Sequence, residues 1–568
     1  MISKKTLLLL LLIAVGSFSA AQTTPQAYIE INNVRGRLMG TGNLIDVQND
    51  DMAWEVPKDS GLSPLFQLAL WIGGLDQNDE LHLAGQLYSI MGRDYWMGPL
   101  KLEDASIDEQ TELRFEQIWN IKRTDITDFL EHYDDASYVM PVEILTWPAH
   151  GLEGYAEHLA PFVDRNGDGR YDPDDGDHPD IPGDQCLFFI FNDSYQNHTE
   201  FGGEKIGLEV HAMVYAFDAP EDDFLNNTVF FHYDLYNRSS NDYSDTYLGL
   251  WNDWDIGYFW DDYAGCDVRH GACYAYNGSP TDETYGDNPP VQMCLILGGP
   301  YMDPDGLDNL EYQGDCGESD FYYGVNFNNG VVDDERLGLS GFMVPENSSG
   351  VMGGPFDASE AYNLLQSMWK DHNHAVFGGN GYPGSASVQG PACKYLYPGD
   401  SDPCNFGTYG IPPFGSFGDE GHYWTEETAG NTSGDRRGLA SIGPFTFKAH
   451  TMQPLDFALT TVWKDETQTA LERIGDAVEA VTKRYQEAFS SVSEQPTCDD
   501  RLLKVYPNPS EGVFTVEGTG QLTVLNQMGQ QILSRDMEGQ TTLTLPSGFY
   551  LVRLVQEHRT IVRKLMVK

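Results

Sequence analysis

Positive charge is scarce in this sequence: 33 Lys and Arg stand against 87 Asp and Glu, a formal net charge of −54. Such an excess repels phosphate backbones and anionic lipid, which argues against nucleic acid and membrane surfaces as partners, and it attracts divalent cations. Long apolar runs are missing beyond the amino end, so no later segment is expected to act as a transmembrane anchor. The motifs HExxH, GxSxG, a Walker loop and a GxGxxG after a strand are absent, so the sequence names no reaction. None of the eight cysteines has the CxxC spacing of a zinc site.

Apolar residues make up 40% of the chain and aromatics 12%, enough to build cores, and 568 residues are too many for a single one. With 59 Gly and 30 Pro, the composition suits a turn-rich β protein. At the amino end Lys4 and Lys5 precede an apolar stretch, Thr6–Val15, and small residues up to Ala21. This is the pattern of a signal peptide over 1–21, cleaved after Ala21, and no Cys follows to take a lipid. An even cysteine count in an exported chain is compatible with disulfides. Cys266 with Cys273 and Cys393 with Cys404 are near enough in sequence to close small loops, Cys294 with Cys316 less obviously so; the competing reading is free buried thiols.

The expected fold is mainly β: a multidomain, β-sandwich-like body with one long helix near its end and a small C-terminal Ig-like β-sandwich. Residues 22–160 read as a β-rich region and 161–463 as a β-rich body with acidic loops, in which runs such as "CLFFIFND" and "NTVFFHYDLYNRS" are short, branched or aromatic, and closed by turn residues. A short helix is expected at Asp125–Tyr133, with Thr124 as its cap. Leu471, Ile474, Val478, Val481, Tyr485 and Phe489 recur at spacings of three and four, predicting an amphipathic helix within 464–490. Residues 491–502 read as a linker, and 503–568 as several short strands separated by Gly, Asn or Pro.

The sharpest chemical motif is the loop Asp164–Asp175. Calcium takes six to eight oxygen ligands at about 2.3–2.6 Å, and a 12-residue loop can wrap one ion. The ligand positions fall on Asp164, Asn166, Asp168, the Arg170 carbonyl, Asp172 and Asp175, with Gly169 at the sharp turn. No long helices flank the loop, so the expectation is a structural extracellular site and calcium is the expected cofactor; the plain alternative is a series of Asx turns. Weaker candidates are Asp253, Asp255, Asp261 and Asp262 in "NDWDIGYFWDDYAGCD", and Asp303, Asp305 and Asp308 in "DPDGLDN". Strand alternation puts Asp253 and Asp255 on one face, where a cation could sit between them; plain turns are the competing reading. Trp251, Trp254 and Trp260 could stack on sugars, though in strands such residues more often fill cores. His372 and His374 read better as surface residues than as ligands.

The segments "VYPNPSEGVFTV", "LTVLNQMGQQIL", "LPSGFYLVRL" and the closing "RKLMVK" stand in order at the end of the chain. Together they resemble the type A C-terminal sorting domain of the type IX secretion system. The residues that carry the match are Tyr506, Pro507, Asn508, Pro509, Gly529, Gly548, Tyr550, Lys564 and Lys568. The resemblance implies passage through the periplasm, recognition by the type IX machinery, removal of the tail by its sortase, and a product attached to surface lipopolysaccharide or released. The body resembles large secreted proteins of no established activity that carry the same tail, through "WPAHG", "PFVDRNGDGRYDP", "DDYAGCD", "YPGDSDPCNFGT" and "GDRRGLASIGPFTF"; that likeness implies one continuous body and no chemistry. A binding, adhesive or structural role toward an unidentified extracellular ligand is the favoured reading, and a surface hydrolase acting on polysaccharide or peptide is the alternative. Deleting Leu503–Lys568 is expected to trap the body in the periplasm; truncated protein in the medium of intact cells, by immunoblot, would refute the role of the tail.

Overall fold

Runs such as Cys186–Phe191 are apolar at consecutive positions rather than alternate ones, and a strand can carry them only if both of its faces are covered. The computed structural model covers both. It describes residues 24–491 and 503–567 apart from 48–51, 89–91, 313, 318–321, 323, 385–389, 414–422, 507–509, 511, 527–530, 547 and 557–558. The expected signal peptide, nearly all of the expected linker, and Pro507, Asn508, Pro509, Gly529 and Lys568 lie outside the described residues.

In the body, nine strands form one antiparallel sheet. Its order is Asp262–Asp267, Ala272–Asn277, Val291–Gly298, Met452–Val462, Thr228–Asn237, Leu208–Ala216, Gln185–Asn192 and Trp96–Met97, with Trp119–Lys122 also paired to Gln185–Asn192. A second sheet of six strands runs Gly341–Met343, Arg436–Phe447, Tyr243–Trp254, Leu65–Leu75 and Asn43–Asp46, with Leu81–Ala84 also on Leu65–Leu75. One face of the large sheet, including Leu187, Phe189, Val210, Phe231 and Phe457, shares a core with Leu68, Leu70, Leu248 and Leu250 of the second. Its other face, including Phe188, Ile190, Tyr215 and Phe230, packs against Ile126 and Phe129 of the helix Arg123–His132 and against Ile474, Val478, Val481 and Tyr485 of the helix Ile474–Ser491.

The body is therefore mainly β, and its segments are interleaved. Leu65–Leu75, from the region read as 22–160, lies between Tyr243–Trp254 and Asn43–Asp46, so both stretches on either side of residue 160 build the same sheets, and one unit runs to Ser491. The last helix begins at Ile474 rather than near Asp465, because the Asp465 carboxylate accepts hydrogen bonds from the Thr467 and Gln468 amides at 2.6 and 2.8 Å and holds that stretch in a turn. Each apolar side chain the helix buries contributes about 1.5–3 kcal/mol. The shorter helix starts at Arg123, where the Asp125 carboxylate accepts from the Lys122 amide at 3.1 Å; Thr124 lies inside it.

The disulfide pairings need correction. Cys404 bonds Cys316, closing 88 residues of the loop-rich segment, and does not bond Cys393. Cys266 and Cys273 face each other on adjacent strands but are free buried thiols, as is Cys294, which stands opposite Cys273 on the next strand; Cys393 and Cys186 are also free and buried. Closeness in sequence made these residues cross-strand neighbours in a packed ladder, where they act as small apolar side chains. Burial pushes the thiols of Cys186, Cys266, Cys273 and Cys393 up, away from the reactive thiolate.

The tail, from Val492 on, is a separate unit. Its described residues form five antiparallel strands, Leu503–Tyr506, Val513–Asn526, Gln531–Thr544, Gly548–Gln556 and Arg559–Val567, around buried Phe514, Val516, Leu522, Val524, Val552, Leu554, Leu565 and Val567. Gly518 and Gly539 pair with each other inside two long strands instead of marking turns, which is why the strands are fewer and longer than the spacing of glycines suggests.

One buried charge cluster ties the last helix to the large sheet. The Asp456 carboxylate, 1% exposed, accepts from His232 Nδ1 and Arg336 Nη2, both at 2.7 Å, and Arg336 Nη1 donates to the Tyr485 hydroxyl at 3.4 Å. Burial alone would raise Asp456, but the two cationic partners outweigh it and hold the carboxyl down at about 2. Asp456→Asn leaves Arg336 buried without its counter-ion and is expected to destabilise the body by about 3–5 kcal/mol, read from the urea midpoint at neutral pH. Because the folded-state carboxyl titrates below its unfolded value of about 3.9, this advantage is present above that pH and fades as pH falls toward 2. A wild-type-to-variant gap that stays constant down to pH 2 would contradict the assignment.

Candidate functional site

Tyr243–Trp254 and Arg436–Phe447 are neighbours in the six-stranded sheet, and their antiparallel register sets Trp251 across from Leu439 and Asp253 across from Arg437. Side chains two apart share a face. Asp255 follows the end of one strand and Asp435 precedes the start of the other, so both arrive at the same edge. The carboxylates of Asp253, Asp255 and Asp435 each offer an oxygen within 4.8 Å of the others. Among the described residues no other group of three His, Cys, Asp or Glu side chains meets as closely.

These residues line a cavity of about 580 Å³. Asp46 and Glu346 also line it, so five carboxylates face a single guanidinium, that of Arg437. Apolar walls come from Phe66, Trp251, Phe259 and Phe356. Phe356 is 64% exposed, and Phe259 is the middle of an exposed run, Tyr258–Trp260, whose rings pack one on the next at 6.0 and 5.1 Å. Trp251 is buried and stacks on Trp71 at 5.0 Å, so it fixes the floor of the cavity as part of the core.

Asp253 is 2% exposed. Its Oδ2 accepts from the Tyr88 hydroxyl at 2.5 Å and lies 3.4 Å from Arg437 Nε, whereas its Oδ1, also buried, accepts no hydrogen bond. Arg437 Nε donates to the Tyr88 oxygen at 2.9 Å and Nη1 lies 3.1 Å from Asp435 Oδ1, while Asp435 Oδ2 accepts from the Asn347 amide at 2.7 Å. Burial pushes the Asp253 carboxyl up to about 7, although Arg437 and Tyr88 pull the other way. Burial, then the neighbouring Asp253 and Asp435 charges, pushes Asp255 up to about 8. Burial and the Asp253 charge hold the Tyr88 phenol far above its usual range. Three carboxylates thus share one cation and too little water, an arrangement that can take a proton, a metal ion or the hydroxyls of a ligand.

The other sequence candidates are placed differently. Asp262 is fully buried; its Oδ2 accepts from the Ile256 amide at 2.9 Å and its Oδ1 accepts nothing. Asp261 lies beside it, and burial with the Asp282 and Glu283 charges raises its carboxyl. Asp303 accepts from the Thr446 amide and hydroxyl, Asp305 from the Leu307 amide and the Asn309 side chain, and Asp308 from the Asn329 and Gly330 amides, so each closes a loop. His372 and His374 are exposed. Trp254 is core, and Trp260 is 54% exposed.

The Asp164–Asp175 loop is built around its own carboxylates. Asp164 accepts from the Gly167 and Gly169 amides, both at 2.7 Å, Asp168 from the Arg170 amide at 2.8 Å, and Asp172 from the Asp174 amide at 3.0 Å. The Asn166 amide donates to both Asp168 and Asp175, at 3.2 and 3.1 Å, drawing the two ends of the loop together. Gly167 and Gly169 adopt φ of 74° and 79°, as this turn requires. The neighbouring Asp177, which the ligand spacing skipped, clamps the loop by accepting from the Arg165 and Asp172 amides at 2.8 and 2.9 Å.

Sequence reasoning found Asp253 and Asp255 but not Asp435, Arg437, Tyr88 or Glu346. A signal was present for the first two: Asp435-Arg-Arg437 opens a strand with the same every-other-residue spacing as Asp253-Trp-Asp255 closes one.

Residues 504–568 match the family described as the secretion system C-terminal sorting domain. The tail thereby marks the chain for the type IX secretion machinery and for the outer surface or the extracellular space. No helix among the described residues is long and apolar enough to cross a membrane. No curated protein matches the chain. A solved structure described as a polysaccharide lyase aligns over 73% of this chain and 37% of its own, at 6% identity and a TM-score of 0.19. This chain spans well under half the length of that protein, and so slight a likeness has no bearing on fold or function.

Arg437→Gln leaves Asp253 and Asp435 facing each other without a counter-ion. With chelator present at pH 8 it is expected to destabilise the body by about 2–4 kcal/mol, and adding Asp253→Asn is expected to restore at least half of that. Losses that simply add in urea titrations of the single and double variants would show that the two side chains are not coupled.

Proposed function

We propose that the body, carried out of the cell by its sorting tail, is a calcium-stabilised extracellular binding module with an adhesive or structural role, and that its ligand is a polyhydroxylated chain such as a glycan. After transport the sortase removes the tail, and the body is attached to surface lipopolysaccharide or released. The observation that carries the ligand reading is the cavity that joins aromatic walls to a group of carboxylates. Sugar rings lay their C–H faces on aromatic side chains and direct hydroxyls to acceptors, and a site with apolar walls and a few convergent polar groups is the common form of a ligand pocket. The Asp164–Asp175 loop supports calcium stabilisation: hydrogen bonds from the Gly167 and Gly169 amides already hold Asp164 against the loop backbone, and an ion bound only by the folded loop adds to stability.

A second reading, hydrolysis of a polysaccharide or peptide, is favoured by the convergence of Asp253 and Asp255 in the cavity lining, since paired carboxylates serve glycoside cleavage. Release of reducing ends by the purified protein, abolished by Asp255→Asn, would put that reading in place of simple binding.

Phe259 and Phe356 wall the cavity yet are not core residues. The double variant Phe259→Ala/Phe356→Ala is expected to keep the wild-type melting temperature and to lose about tenfold or more in affinity for the surface glycans that the wild type retains on an array. Equal retention by wild type and variant would remove the cavity from the binding reading.

A further inference from the structure

We infer that Asp253, Asp255 and Asp435 form a divalent-cation site, separate from the Asp164–Asp175 loop, whose ion is held in the cavity with part of its coordination shell turned toward the ligand. Two oxygens on one calcium ion, each at about 2.3–2.6 Å, can be at most about 5 Å apart, and the three carboxylate oxygens fall within that sphere at 4.8 Å. Proximity alone would be a crowded acidic edge; the second observation is Asp253 itself. Its side chain is 2% exposed, Arg437 and Tyr88 take the Oδ2 edge, and buried Oδ1 is left with no donor at all. A buried carboxylate oxygen without a partner is costly, and a cation is the partner that also relieves the repulsion among its two neighbours.

The donor set points to the kind of ion. It is all oxygen, with no thiol or imidazole, which suits a hard cation of the calcium class over zinc or copper. Three protein carboxylates fill about half of a shell of six to eight oxygens. The remaining positions open into the cavity, beside Trp251 and Phe259. A pair of neighbouring hydroxyls, or the carboxylate of an acidic sugar, fits those positions while its ring lies against the aromatic wall. Only this last step, the ligand that completes the shell, rests on the glycan reading above.

The test uses the full chain, stripped with chelator and titrated with calcium chloride alone by calorimetry. In the Asp164→Ala/Asp168→Ala background, where the loop cannot contribute, one site is expected to remain, and adding Asp253→Asn/Asp435→Asn is expected to weaken it at least tenfold. Calcium binding that is unchanged by the added pair, or absent before it, overturns the site. Terbium provides a readout in the otherwise unaltered protein, because Trp251 is two residues from Asp253 on the same face and can sensitise a bound lanthanide. Trp251→Phe is expected to cut the sensitised emission several-fold. Emission untouched by both Trp251→Phe and Asp253→Asn/Asp435→Asn places the ion elsewhere and overturns the site. Calcium binding with no glycan retained would leave the ion site standing and remove only the ligand reading.

Discussion

The pairing of Tyr243–Trp254 with Arg436–Phe447 crosses the whole loop-rich segment of the chain and is the contact on which the site depends. Its register places Asp253 across from Arg437 and brings Asp255 and Asp435 to one edge. A slip of one residue would turn every side chain of a strand to the opposite face, exchanging Leu248 and Leu250 with Trp251 and Asp253 and turning a carboxylate toward the core. The register is held because those same strands supply Leu248, Leu250 and Ile442 to the core shared with the large sheet. Packing and site geometry are therefore set by one arrangement.

The charge of the molecule is strongly negative, and three of its buried carboxylates are each met by a guanidinium. Glu209 meets Arg238 and His211, Glu426 meets Arg436, and Asp456 meets Arg336 and His232. Each is a carboxylate with a guanidinium at hydrogen-bond distance, the form in which a buried charge is tolerated. The edge formed by Asp253, Asp255 and Asp435 departs from that pattern, with one Arg among three acids. That edge lines the cavity, whereas the three paired carboxylates do not.

Much of the β framework was legible in the sequence, because its strands are short, rich in branched and aromatic residues, and closed by turn residues. The doubly buried strands were recognisable as strands, yet nothing in Cys186–Phe191 says which layer covers each face. The stripe of the last helix was visible, but its true start was not, since Leu471 keeps the spacing while Asp465 holds the preceding turn. The cysteines misled because sequence distance is a poor guide to pairing: Cys404 finds Cys316 across a long loop, whereas Cys266 and Cys273 are neighbours without a bond. Half of the candidate site was readable as Asp253-Trp-Asp255. Its other half comes from a distant strand and from the segment of Tyr88, and such meetings are decided by register alone.

The nine-stranded sheet is completed late. Met452–Val462, among the last strands of the body, lies between Thr228–Asn237 and Val291–Gly298 and pairs with both. Without that strand the facing edges of Thr228–Asn237 and Val291–Gly298 have no partner, so the sheet can close only when nearly the whole body is present. A chain made from its amino end thus stays unsealed until shortly before its address label appears.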